Sequence, residues 1–194
     1  MRSRDLAEID SKPLALAWIA SAERALARPD DPLTASALRV NFAFDRLAPA
    51  EHEATRKHIA ASYGEIRAAL GRSGRVFRDV TEVEARRACR VAPGRGVPPA
   101  YSIFGGHVYF APNFADFGPK CRAAMLIHEC VHLFDGRSGE PQIHVSEFAP
   151  EFDAIPPDEQ VHNASAYASF AAQVHHRALE WPREARYGAG RPRE

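Results

Sequence analysis

Two histidines four residues apart, with a glutamate directly after the first, stand in the segment LIHECVHLFDG, Leu126 to Gly136. At about 100° per residue, His128 and His132 lie within about 40° of each other on one face of a helix, so both imidazoles can reach one metal ion. Glu129 is turned about 100° aside, where it can serve as a base toward a water rather than as a ligand. Residue types in this pattern point to zinc and to hydrolysis of a carbonyl compound. Glu129 would take the water's proton and return it to a leaving amine.

That chemistry needs a helix that packs its back and shows the pair in front. Ala123, Leu126, Cys130 and Leu133 form the apolar stripe behind the histidines, so Cys130 reads as a small buried hydrophobe. It also needs a third ligand. Position 135 is Asp and position 138 is Ser, so the spacing H-E-x-x-H-x-x-G-x-x-H is not met. The candidates downstream are Asp135, Glu140, His144, Glu147, Glu151 and Asp153. Asp135, three residues past His132, reads better as a turn residue or as the partner of a histidine. In QIHVSEF, His144 and Glu147 are three apart and would share a face of a helix. His144 is the favoured third ligand, with Glu147 as its stand-in.

The elements that must position these groups follow from periodicity and punctuation. A helix is expected over 13–29, stopped by RPDDP, and TASALRVNFAF is ambiguous between helix and strand. A long amphipathic helix follows, with Leu47, Ala54, Ile59, Ile66 and Leu70 near one face. VFRDV and RRACRVA read as short strands, and YSIF and HVYF flank Gly105-Gly106 as a two-residue hairpin. The helix KCRAAMLIHECVHLF is expected to close at Gly136. Further helix is expected near 142–152, then a proline turn at Pro156-Pro157 and a last helix DEQVHNASAYASFAAQVHHRA. The order defines an α+β fold: N-terminal helices, a small sheet with a hairpin, the H-E-x-x-H helix and a C-terminal helix. One domain is expected over 1–180, helical to residue 75 and catalytic from 76, with 181–194 as a disordered tail.

From about Val108 onward the chain resembles the aspzincins, the deuterolysin-like and peptidyl-Lys metalloendopeptidases. Their strand VYxCPxF leads into a helix xTLIHExxH; here HVYFAPNF leads into AAMLIHECVH. Their PDKAxxNADxYxxF has its counterpart in PDEQVHNASAYASF, at ungapped spacing from His132 to Asn163. The match covers residues 108–172, about a third of the chain. It implies a zincin-like metallopeptidase fold, zinc as cofactor and a peptide or protein substrate. It also implies packing and hydrogen-bonding support from Asn163 and Tyr167, and an extended substrate paired with the strand HVYFAP. The family's ligand aspartate and its tyrosine, in GTxDxxYG, fall on Pro141 and His144. Either His144 is the ligand, or it stands in the tyrosine's place while Glu147 binds zinc. A preference for lysine does not carry over. The loss of GTxDxxYG keeps an alternative open, a non-catalytic zincin-like binding module.

The remaining histidines read as bystanders. His52, His58, His175 and His176 are expected in solvent, His107 in an exposed hairpin turn, and His162 either beside the site or at the surface.

Composition sets the outer bounds. The 194 residues carry 25 Lys and Arg against 25 Asp and Glu, so nothing global favours nucleic acid or an anionic membrane. Cys89, Cys121 and Cys130 have neither disulfide nor C-x-x-C spacing, which suits reduced thiols and a cytoplasmic protein. PLALAWIASA has the apolar character of a signal peptide, but Asp5, Glu8 and Asp10 precede it, so a helix is expected there. No segment approaches the ~20 apolar residues of a membrane span.

Overall fold

The computed structural model describes residues 2–135, 143, 145–146 and 149–180. Several of its helices begin where a side chain or a proline says they should. After a turn at Ser3–Leu6 and a π-helical stretch at Ala7–Ser11, α1 (Lys12–Leu26) buries Ala15, Trp18, Ile19, Ala22 and Leu26 at three- and four-residue spacing. The ambiguous TASALRVNFAF is helix: α2 (Pro32–Phe42) starts on Asp31, which accepts the Thr34 amide at 3.0 Å, with Pro32 pre-set in its first turn. In α3 (His52–Gly71), Ile59, Ile66 and Leu70 are buried as expected, whereas Ala54 is exposed and Leu47 precedes the helix.

The strand expected at RRACRVA is instead the helix α4 (Glu82–Ala88). Thr81 and Glu84 form a capping box, acids occupy the first turn and Arg86 and Arg87 the last, so local charges and caps agree on a helix. Three short strands remain: β1 (Phe77–Asp79), β2 (Ala100–Ser102) and β3 (Val108–Phe110). Their order is β1-β3-β2, with β1 parallel to β3 and β2 antiparallel to it, in the register Tyr101 opposite Tyr109. The hairpin is present, but its connection is longer than two residues. A turn at Ile103–Gly106 closes it, with Gly105 at φ +66 donating its amide to Leu133 O at 2.9 Å.

The central helix α5 (Pro119–Val131) starts on Pro119 and ends at Val131, with His132 as its C-cap, short of the closure expected at Gly136. Residues Cys121 to Ile127, Cys130 and Val131 are buried, so it is wrapped on most of its circumference rather than on one stripe. Ile143 is extended and bridged in parallel to Asn163, and residues 145–146 are not helical, so the helix expected near 142–152 is not seen in the described residues. A turn at Phe152–Ala154 begins where that helix was expected to end.

The last helix is broken where one run was expected. A turn at Pro157–Gln160 precedes α6 (Ala164–His176), because Asn163 adopts an extended backbone and caps α6 through the Ser165 amide. α6 packs on α1, α2 and α5. One contiguous core runs through Trp18, Phe42, Tyr63, Phe77, Phe110, Phe114, Tyr167 and Phe170. Each of these rings contributes roughly 2–3 kcal/mol by leaving water. His175 and His176 are half-buried against the Trp18 ring rather than solvated, and His52 is half-buried against Phe44. His107 is half-buried beside Tyr109. The three cysteines are free thiols, and among the described residues no helix is long and apolar enough to cross a membrane.

Candidate metal and active site

The last turn of α5 brings the two histidine rings together. His128 Nε2 and His132 Nε2 are 3.2 Å apart, with ring centroids at 4.8 Å. Zinc–nitrogen bonds of about 2.0–2.1 Å at a tetrahedral angle set two ligand nitrogens about 3.3 Å apart, so the pair fits a zinc ion on its own geometry. His132 is buried and His128 half-buried. Ser165 Oγ, one residue into α6, lies 3.4 Å from His128 Nδ1. In the tautomer that leaves Nε2 for a metal, that Nδ1–H points at the hydroxyl, which orients the ring.

Glu129, between the two, accepts a hydrogen bond from Ser102 Oγ to its Oε2 at 2.8 Å. Burial is the main influence on this carboxyl and raises it from 4.5 to about 7; the Ser102 bond acts in the opposite direction. Their own burial, and secondarily the Glu129 charge, push the Cys89 and Cys130 thiols up, so neither is poised as a thiolate ligand.

Strand polarity exposes an edge beside this carboxylate. Ala111 N–H donates to Pro99 O and Ile103 N–H to His107 O, with Tyr101 opposite Tyr109. The main chain of 99, 101 and 103 therefore faces β3, and the amide and carbonyl of Ser102 face outward; those of Ala100 face the same way, but Ala100 is buried. β3 itself is paired on both sides, so the expectation that HVYFAP receives a substrate strand fails. Among the described residues no strand pairs with the other side of β2, where Ser102 lies beside Glu129.

Among the described residues, no three His, Cys, Asp or Glu side chains are grouped so as to hold an ion. Asp135 is engaged elsewhere: its Oδ1 lies 2.6 Å from His162 Nδ1, and the His162 ring meets that of His58. Glu151 and Asp153 are exposed. Glu140, His144 and Glu147 lie outside the described residues. The neighbours of His144 are anchored, since Asn163 bridges to Ile143 and donates Nδ2–H to Val145 O at 2.9 Å. Tyr167 is buried in the core, where its hydroxyl donates to Val161 O at 2.8 Å and sits 3.2 Å from Ser62 Oγ. Ser102 and Ser165 are the residues that sequence reasoning missed. Nothing in the spacing of a lone serine marks it as the neighbour of a group 27 or 37 positions away.

Helices around a small mixed sheet, with the H-E-x-x-H segment at the end of the central helix, make an α+β fold of the kind found in a zinc peptidase. Among solved structures, the chain is similar to a zinc peptidase from Grifola frondosa. The two are 16% identical with a TM-score of 0.55, over 89% of this chain and 97% of that one. No family model matches the sequence, and no curated protein does. The likeness is therefore one of fold.

Proposed function

We propose that this protein is a zinc-dependent metallopeptidase, a single domain over residues 1–180. The observation that supports it best is the convergence of His128 and His132 Nε2 at 3.2 Å beside the Glu129 carboxylate, within the fold of a zinc peptidase. His128 and His132 would hold the ion, completed by His144 or Glu147. When bound, zinc supplies Lewis acidity toward the scissile carbonyl and the attacking water. The chain's own residues do the rest. Glu129 accepts the water's proton and delivers it to the leaving amine, a task suited to a carboxyl raised toward neutrality by burial. The outward amide and carbonyl of Ser102 would pair with an extended peptide, which lays its scissile bond along the carboxylate. Asn163 supports the segment that carries His144, and Tyr167 supports the packing of α6.

The test is zinc per chain, with cleavage of broad peptide libraries by wild type and Glu129→Gln. One zinc per chain is expected, with cleavage by wild type only. His144→Ala and Glu147→Gln then separate the two ligand assignments, because the variant that lacks the ligand loses stoichiometric zinc. A zinc-loaded wild type as inactive as Glu129→Gln refutes catalysis and favours a non-catalytic binding module.

A further inference from the structure

Ser102 stands at a junction. Its Oγ donates to Glu129 Oε2 at 2.8 Å, and its main-chain amide and carbonyl face away from β3. Its position is over-determined from two directions. On one side, Tyr101 and Tyr109 stack at 4.9 Å across the β2–β3 pair and hold the register. On the other, the turn that follows Ser102 is tied to the end of α5 by the Gly105 amide on Leu133 O. The hydroxyl is therefore presented to Glu129 by a rigid strand and not by a loop. Left alone, a glutamate at the rim of a helix has three side-chain torsions to distribute among rotamers. A donor on Oε2 selects the rotamers in which that oxygen faces β2 and leaves Oε1 as the oxygen without this donor.

We propose that Ser102 is a positioning residue. It fixes the Glu129 carboxylate against β2, so that the strand receiving the peptide and the group accepting the proton are set in one register. This rests on the peptidase reading, and it assigns Ser102 no contact with the reacting atoms. A peptide held by the outward amide and carbonyl of Ser102 is then displaced only together with the base it must meet. Such coupling acts on the chemical step and not on metal binding, because the Ser102 hydroxyl bonds the Glu129 carboxylate.

Three readouts on Ser102→Ala and Ser102→Thr test it: kcat and KM on a cleaved peptide, zinc content, and a crystal structure of each variant. For S102A the expectation is a loss of roughly ten-fold in kcat, the scale of one hydrogen bond to a charged group, with KM and zinc content near wild type. The S102A structure should show the carboxylate turned away from β2. S102T keeps a hydroxyl at the same carbon and should restore most of kcat. A kcat for S102A within two-fold of wild type overturns the proposal. So do S102A and S102T that are equally impaired, or an S102A crystal structure with the Glu129 carboxylate unmoved. If wild type cleaves no peptide, the peptidase reading fails by itself, and the carboxylate's place in the two crystal structures still decides the role of Ser102.

Discussion

Glu129→Gln should stabilise the metal-free protein, and by an amount that depends on pH. The carboxyl is raised from 4.5 to about 7 in the folded chain, chiefly by burial. Between those values the folded state holds a proton that the unfolded state has released. Folding is therefore favoured at the acid end, and stability falls as pH rises from about 4.5 to about 7, then levels off. At about 1.4 kcal/mol per pH unit, the whole interval corresponds to about 3 kcal/mol, less whatever solvent at the carboxylate's edge screens. Glutamine has the same shape and no titration, so it escapes this loss. Urea unfolding of both proteins with the metal chelated away, from pH 4 to pH 9, gives the difference directly, because the histidines and other carboxylates are common to both. The variant should match wild type at the acid end and exceed it by roughly 2–3 kcal/mol above pH 7. A difference that stays constant across the range, or wild type more stable at pH 8, would refute the account of Glu129 as a carboxylate strained by burial. S102A removes the bond that opposes this shift, so in that variant the fall in stability should extend to higher pH.

Two further outcomes follow from the surrounding contacts. Asp135→Ala removes the partner of His162 from a largely buried pair and should cost about 1–2 kcal/mol in urea unfolding while keeping one zinc per chain; loss of zinc would instead make Asp135 a ligand. Tyr167→Phe leaves Val161 O without its donor in the core and should cost about 1–2 kcal/mol, with zinc content unchanged.

The parts of the fold legible in the sequence are those that local rules decide. The core faces of α1 and α3 follow from the recurrence of apolar residues, and α5 from a helix-forming run between Pro119 and the histidines. The error at RRACRVA has a local cause too. T-x-x-E at Thr81 and Glu84 is a local helix-start signal, and it outweighs the strand-like look of RRACRVA. The break before α6 is of the same kind, since Asn163 in an otherwise helical run is a capping residue before it is a helix former. Strand order is different. β3 is central only because β1, some thirty positions earlier, pairs with it in parallel, and no local pattern distinguishes a paired flank from a free one. The partial burial of His175 and His176 has a similar origin: the ring that covers them, Trp18, belongs to the other end of the chain.

The site divides along the same line. His128, Glu129 and His132 could be read because one helical turn sets their geometry, whatever surrounds them. What makes such a trio useful comes from elsewhere in the chain. One hydroxyl from β2 holds the carboxylate, one from α6 meets the first imidazole, and Asn163 anchors the segment that bears His144. Each is a single polar side chain whose significance is its distance to a partner, and distance is not written in residue type. The resemblance at Asn163 and Tyr167 could therefore be seen before its reason. Asn163 caps α6, and the same side chain ties Ile143 and Val145 to the helix that carries Ser165. A change at Asn163 would therefore disturb the backbone at Ile143 and Val145 and the start of α6 together.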